Sequence, residues 1–325
     1  MPDRMNATPP PAGSPTVGTP APSVGGGPSS APPADDLPAG PPAWWVRAIS
    51  ALPLGVLHAI ASLFAWLAFR VFPHRPQVVR ENLSIAFPDL DERGLREVTR
   101  AFYAGHADVL VEVVKSAALR PEELLRRVEV HGLELVRERL ATGKPALLLA
   151  AHQCNWEWML LALSLTLDAP LDAAYKPLVD PWAEREMKRL RSRFGARLVP
   201  APQLLVDIIK RRNLPRAIAM VADQEPVASE SKHWTRFLNR DSAFFLGAEE
   251  IARKTGYGAL FVKMRRTGRG RYRIDCVPFA EPRESLRPGE FTERYARMVE
   301  AQIRESPPDW PWSHKRWRLR KPLYE

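Results

Sequence analysis

The chain has 325 residues, enough for one large domain or two small ones with an ample core. Its two cysteines exclude a disulfide-rich scaffold and suit a protein that faces a reducing compartment such as the cytoplasm. The formal net charge of +10 indicates an anionic partner, either a nucleic acid or a membrane surface, and the position of the charges has to distinguish these two classes.

The composition of residues 1–43 predicts a disordered tail. They hold 13 of the 33 prolines, Gly, Ser and Ala fill most of the rest, and no periodic apolar pattern is present. The tail also lacks the basic and then apolar layout of a cleavable signal peptide.

Residues 44–72 predict a membrane-anchoring helix. Within them, 48–69 form a run of 22 residues without Asp, Glu, Lys or Arg, long enough to cross a hydrocarbon core. Trp44 and Trp45 flank the beginning of this run, and basic residues are denser after its end, which favours a C-terminal body on the cytoplasmic side. A helix that lies in the membrane interface, or one buried in the core, is the alternative.

Residues 73–325 predict an α/β domain with a central mixed β-sheet flanked by helices. Apolar residues at helical spacing predict helices on both sides of a turn at 87–90. Short apolar runs predict strands, and longer periodic runs between them predict further helices. The predicted strands are 128–130, 146–151, 172–176, 217–222 and a hairpin of 259–264 with 271–277; the predicted helices include 133–140, 181–194 and 204–209.

The stretch around His152 is the strongest candidate for chemistry. His152 follows the buried run 146–151, and Asn155 is placed to cap the helix that comes next. Glu157 then falls in the first helical turn, from which it can reach back toward the imidazole. Because carboxyl ends of strands are where ligands bind in open α/β sheets, we predict that His152 is a general base and that Glu157 orients it.

Two other interpretations of this stretch stay open. His152 can be a capping or core histidine, since a general base must first be shown within reach of its proton. Cys154 can be a thiol nucleophile with His152 as its base, which would make the protein a thioester hydrolase.

Further candidates for ligand contact follow the next predicted strands. Tyr175 and Lys176 end one strand and precede a basic helix, whose charges suit either solvent or a phosphate. Asp223 and Gln224 supply an acid and an amide at the end of another strand. Residues 310–318 interleave tryptophan with Lys and Arg, a composition seen both on nucleic-acid surfaces and in membrane belts, and the apolar run upstream favours the membrane.

These motifs resemble those of the lipid A biosynthesis acyltransferases, the lauroyl and myristoyl transferases, a branch of the lysophospholipid acyltransferase superfamily. Residues 152–157 match the His-x-x-Asn-Trp-Glu core of that family. Four more motifs stand in the family's order, and the resemblance runs from about residue 44 to the end. They are Asn82-Leu83 with Phe87-Pro88, Tyr175-Lys176-Pro177-Leu178, Asp223-Gln224, and Trp312-Ser313-His314-Lys315-Arg316-Trp317.

The resemblance implies a bacterial inner-membrane enzyme with its catalytic domain facing the cytoplasm. Such an enzyme moves a fatty acyl chain from acyl carrier protein to a hydroxyl of a lipid A precursor, with His152 as the base, Glu157 as its partner, and no cofactor or metal. The implied partners are acyl carrier protein, the precursor and membrane lipids; nucleic acid is not expected, because no recognised binding motif is present. The residues expected to contact substrates are Asn155, Trp156, Tyr175, Lys176, Arg185, Arg189, Asp223 and Gln224.

Lys176 departs from the family pattern, which often has arginine at this position. A lysine cannot provide the bidentate fork of a guanidinium, so Lys176 is a candidate either for oxyanion stabilisation or for a phosphate contact. An acyltransferase acting on another glycolipid or on a lysophospholipid, and a non-catalytic membrane-associated binding protein, are the remaining alternatives.

Overall fold

The computed structural model describes residues 41–70 and 75–321. Most of the predicted tail (1–40) and the last residues of the predicted anchor (71–72) lie outside these ranges. The helices are α1 (Trp44–Ala51), α2 (Leu54–Arg70), α3 (Pro76–Ala86), α4 (Glu92–Lys115), α5 (Pro121–Leu125), α6 (Leu133–Ala141), α7 (Trp156–Thr166), α8 (Pro181–Arg191), α9 (Leu204–Lys210), α10 (Gly247–Thr255) and α11 (Glu290–Glu305). The strands are β1 (Val128–His131), β2 (Ala146–Ala150), β3 (Leu171–Tyr175), β4 (Arg197–Pro200), β5 (Ala217–Val221), β6 (Lys232–Phe237), β7 (Arg240–Phe245), β8 (Ala259–Gly268) and β9 (Arg271–Ala280).

A mixed, mostly parallel sheet forms the centre of the fold. Its strand order is β1-β9-β8-β2-β5-β3-β4, in which β8 and β9 pair antiparallel and the other neighbours pair parallel. The predicted hairpin is therefore confirmed, as is the predicted mixed sheet flanked by helices. Strands β6 and β7 form a separate two-stranded ribbon.

Strand β2 lies in the middle of this sheet because its sequence is apolar on both faces. All five of its residues are buried. Leu147 and Leu149 join the apolar cluster on one face, while Ala146, Leu148 and Ala150 join the cluster on the other, as the two-residue period of a strand requires. The carboxyl end of β2 is thus held rigidly on both sides.

The predicted anchor is two helices and not one. Leu52 has an extended backbone (ψ 146°) directly before Pro53, a position where proline disfavours helix, and α1 and α2 meet there at a bend of 106°. In the described ranges no helix by itself has the length and hydropathy of a membrane span, and only the bent pair reaches them together. One face of α2, including Leu57, His58 and Ala61, is buried against the rest of the protein.

Candidate active site

The register of two neighbouring parallel strands brings His152 and Asp223 together. Ala150 of β2 pairs with Val221 of β5, and each candidate residue lies two positions beyond its strand. Because parallel strands end at the same edge of a sheet, both side chains point from the carboxyl edge toward the same space. The turn after each strand is therefore part of one site.

The carboxylate that holds His152 belongs to Asp223. The Asp223 Oδ1 atom lies 2.6 Å from Nδ1 of His152 and accepts a second hydrogen bond of 3.2 Å from the His152 backbone N–H. The other oxygen, Oδ2, accepts a hydrogen bond of 2.9 Å from the indole of Trp310. Burial alone would raise the pKa of Asp223, but the charge of His152 and these hydrogen bonds outweigh it, so that the pKa is lowered. Asp223 therefore stays ionised and orients the imidazole.

Glu157 has a different partner from the one we predicted. The guanidinium of Arg191 on α8 donates two hydrogen bonds to its carboxylate, of 2.9 and 2.6 Å, and the indole of Trp156 donates a third of 3.1 Å. These three hydrogen bonds engage both oxygens of the Glu157 carboxylate, and the His152 Nδ1 atom is hydrogen bonded to Asp223 instead. The Trp156 ring still joins the two groups, because it packs edge-on against His152 at 5.2 Å between centroids.

The second ring nitrogen of His152 faces a large cavity. This Nε2 atom lies 3.3 Å from the side-chain nitrogen of Gln224, which is exposed at the rim. When Nδ1–H donates to Asp223, Nε2 carries a lone pair, so it is the atom that can take a proton from a ligand in the cavity. His152 is thus arranged as a base.

The cavity has a volume of about 530 Å³ and mostly aliphatic walls. Its floor runs between the central sheet and α7, past Leu148, Ala219, Met159, Leu163 and Val262. Its lining also includes polar and charged residues, namely His152, Glu157, Lys176, Arg191 and Gln224. A long hydrocarbon chain with a reactive polar end would match this distribution.

The structure separates the predicted substrate residues into three groups. Trp156, Tyr175, Lys176 and Gln224 line the cavity; the Tyr175 hydroxyl also donates to Glu184. Asn155 and Asp223 are buried, with 0% and 1% of their surfaces exposed, and hydrogen bond within the protein. Arg185 and Arg189 lie on α8 outside the cavity lining, with Arg189 paired to Glu186 at 2.5 Å. The expectation that Asn155 contacts substrate is therefore replaced by a supporting role, and Asp223 acts through His152.

Cys154 does not have the surroundings of a nucleophile. Its backbone lies in the left-handed region (φ 54°), and only 2% of the residue is exposed. The thiol is 3.6 Å from the carbonyl oxygen of Met264, and burial raises its pKa well above the usual value. Because the thiol stays protonated and lies away from the cavity, the thioester hydrolase alternative gains no support.

Trp310, Trp312 and Arg316 pack in the core next to the site, and not at a membrane surface as we predicted. Trp310, Trp312 and Arg316 are buried, with at most 2% exposed. The Arg316 guanidinium donates to the carbonyl oxygen of Asp223 (2.7 Å) and packs over the Phe244 ring, and burial lowers its pKa to about 10. Two tryptophans and one arginine of this segment therefore fill the core beneath Asp223, while Lys315 and Arg318 are exposed.

Tyr295 is a supporting residue that the sequence did not reveal. Its hydroxyl donates to the carbonyl oxygen of Ala150 (2.6 Å) and accepts from the backbone N–H of Ala222 (3.1 Å). It thereby ties the ends of β2 and β5 together, directly before His152 and Asp223. Its only sequence signal is an apolar position on α11, which many core residues share.

A histidine held by a buried carboxylate beside a largely aliphatic cavity, whose described lining contains no Ser, Thr or Cys, suits the class of enzyme that uses a histidine base on a ligand with a long apolar part. Comparison with known proteins identifies the family. Residues 43–319 match the model of the bacterial lipid A biosynthesis acyltransferase family, so the chain belongs to that family and is an acyltransferase of lipid A biosynthesis. It is also similar to the lipid A biosynthesis lauroyltransferase of Escherichia coli (strain K12), with 24% identity over 272 residues that cover 83% of this chain and 87% of that protein.

Proposed function

We propose that the protein transfers a fatty acyl chain from acyl carrier protein to a hydroxyl of a lipid A precursor. The observation that carries this proposal is the His152 and Asp223 pair, 2.6 Å apart, with the free nitrogen of the imidazole directed into the 530 Å³ cavity. At roughly 30 Å³ for each methylene-sized group, by analogy with a water molecule, the cavity has room for an acyl chain.

The reaction that we propose uses this geometry. Nε2 of His152 takes the proton of the acceptor hydroxyl, whose oxygen attacks the thioester carbonyl and forms a new C–O bond. The resulting oxyanion collapses, the C–S bond breaks, and the leaving thiolate takes the proton back from His152. The products are an ester and the free thiol of the carrier protein, so atoms and charges balance.

Lys176 is our candidate for stabilising the developing negative charge or for binding an acceptor phosphate. Lys176 is exposed and lines the same cavity as His152. Charge stabilisation at the reacting carbonyl would appear as a loss of kcat in Lys176→Ala, whereas a phosphate contact would appear as a rise in the acceptor KM. Lys176→Arg is the matched variant that keeps the positive charge.

We place the protein at the bacterial inner membrane with the catalytic domain toward the cytoplasm. The outer face of α2 supports this location, because Leu63, Phe64 and Trp66 are each more than half exposed and form an apolar surface. Trp44 on α1, 80% exposed, adds an aromatic side chain suited to the interface. In a vesicle sedimentation assay, Leu63→Glu with Phe64→Glu should abolish binding to anionic vesicles; unchanged binding would reject this surface.

A reconstituted reaction tests the transfer. Purified protein, lauroyl-loaded acyl carrier protein and a lipid A precursor should give the acylated precursor and free carrier protein, detected by mass spectrometry. His152→Ala should lower the rate by about 10²-fold or more, as expected for loss of a general base. A lysophospholipid or another glycolipid, offered in place of the precursor, should be a poor acceptor; faster acylation of either would reassign the acceptor.

A further inference from the structure

Glu112 is a buried carboxylate that the reaction does not use directly. It lies on α4, has 0% of its surface exposed, and accepts three side-chain hydrogen bonds. Its Oε1 atom accepts from Nε2 of His58 (3.0 Å), and its Oε2 atom accepts from Asn155 (2.9 Å) and from the hydroxyl of Tyr272 (2.6 Å). The three donors come from α2, from the turn before α7, and from β9.

An ionised carboxylate can only accept hydrogen bonds, so Glu112 determines how its neighbours are oriented. The Asn155 amide must turn its NH₂ group toward Glu112. Its carbonyl oxygen is then left to accept the backbone N–H of Trp158 (3.0 Å), which is the N-terminal cap of α7. Reversing the amide would lose both interactions at once.

Asn155 stands between the two functional residues of the site. His152 lies three residues before it and Glu157 two residues after it, on the same turn. A second contact joins α4 to the start of α7: the Trp158 indole donates hydrogen bonds to the carbonyl oxygen of Glu112 and to the Ser116 hydroxyl. The position of the turn relative to the cavity therefore depends on α4.

We propose that Glu112 is a positioning residue for the acyl transfer: it fixes the Asn155 amide, and thereby the turn that places His152 and Glu157 at the cavity. This inference rests on the proposed function. Through His58 the same carboxylate joins the turn to α2, whose opposite face is the apolar surface that we assign to the membrane. Glu112 thus hydrogen bonds both to the turn that carries His152 and to the helix that we assign to the membrane.

Asn155→Asp distinguishes this role from simple helix capping. Aspartate caps a helix as well as asparagine does, so a capping role alone predicts no change. Opposite Glu112, however, the new carboxyl group replaces a donor with an acceptor. At pH 8 the two groups then either repel each other or bind a proton that the unfolded chain does not bind, and both outcomes disfavour the native turn. We expect kcat to fall by at least about tenfold with KM values nearly unchanged.

Glu112→Gln in the Asn155→Asp background is the rescue. The new amide can donate to the new carboxylate and to the Tyr272 oxygen, while its carbonyl still accepts from His58. The bond to residue 155 is then restored with donor and acceptor exchanged and the His58 bond is kept, while the Tyr272 hydroxyl becomes an acceptor and loses the acceptor of its own proton. The double variant should recover kcat to within about threefold of wild type at pH 8, a result that simple loss of packing cannot produce.

Asp172→Asn is the matched control, because Asp172 is also a buried carboxylate. It accepts from Arg216 (2.6 Å) and Arg211 (2.7 Å) at the start of β3, the opposite edge of the sheet from His152. Its substitution should lower the Tm and leave kcat of the folded enzyme unchanged. A fall in kcat equal to that of Asn155→Asp would mean that a change of charge at any buried site has this effect, and would overturn the proposal.

The experiment measures kcat, KM and Tm for the wild type, Asn155→Asp, Glu112→Gln, the double variant and the control Asp172→Asn. Wild-type kinetics for Asn155→Asp, or no recovery in the double variant, overturns the positioning role. The Tm values keep this test separate from the proposed function: absence of transfer by the wild type rejects the function, while the Tm of the double variant still reports whether Glu112 and Asn155 are coupled.

Discussion

Asp223→Asn is the substitution that tests the orientation of His152 most sharply. Both oxygens of the Asp223 carboxylate already accept hydrogen bonds, one from the His152 backbone N–H and one from the Trp310 indole. An amide has one oxygen and one NH₂ group, so it cannot accept on both sides. If NH₂ faces Trp310, two buried donors oppose each other. If NH₂ faces His152, it donates to Nδ1, which moves the imidazole proton to Nε2 and removes the base from the cavity.

The size of the effect follows from these two arrangements. An unpaired buried donor costs about 1–3 kcal/mol, and loss of general-base catalysis costs about 10²- to 10⁴-fold in rate, or roughly 3–5 kcal/mol. Each arrangement leaves one buried donor without its acceptor, either the Trp310 indole or the His152 backbone N–H, and both remove the charge that stabilises the protonated imidazole. We therefore expect a folded but less stable protein with kcat lowered by about 10²-fold or more.

The assay is the initial rate of acyl transfer from acyl carrier protein to a lipid A precursor, with folding followed by thermal unfolding. Asp91→Asn is the matched control, since Asp91 caps α4 at an exposed site and asparagine caps equally well. Nearly wild-type kcat in a folded Asp223→Asn protein would refute the assignment of Asp223 as the orienting carboxylate.

Three further predictions concern the neighbouring groups. Glu157→Gln replaces an acceptor of two Arg191 bonds and should lower the transfer rate by roughly 10- to 100-fold; an unchanged rate would show that the Glu157 charge is dispensable. Cys154→Ser should change kcat by less than about threefold, because the thiol is buried away from the cavity, and inactivation would revive the thiol mechanism. Because the pKa of Asp223 is lowered in the folded protein, its ionised carboxylate stabilises the fold above about pH 4, and this contribution is lost as the pH falls and the carboxylate is protonated. Asp223→Asn should therefore weaken the loss of unfolding free energy with falling pH. An unaltered loss in acid would contradict the lowered pKa.

The sequence predicted the elements around the site because their patterns are local. The fully buried strand before His152, the helix capped by Asn155 and the β8–β9 hairpin all follow from apolar period, capping residues and turn residues within a few positions. The separate β6–β7 ribbon was missed. Its turn at Leu238 and Asn239 has positive φ values of 51° and 64°, and leucine gives no signal for that conformation.

The partner of His152 could not be predicted from spacing along the chain. Glu157 is five residues away and Asp223 is 71, and only the parallel register of β2 with β5 shows which of them reaches the imidazole. Sequence order does not reveal that β5 lies beside β2, because β3 and β4 come between them in the chain. The same limitation hid Glu112, whose contacts with Asn155 and Tyr272 span 43 and 160 residues.

Mass spectrometry of lipid A from cells that carry or lack this protein tests the central claim most directly. Cells without the protein should lack one defined acyl chain, and wild-type protein supplied on a plasmid should restore it. His152→Ala, produced at the same level, should not restore it. An unchanged lipid A profile in the absence of the protein, or full restoration by His152→Ala, would contradict the account.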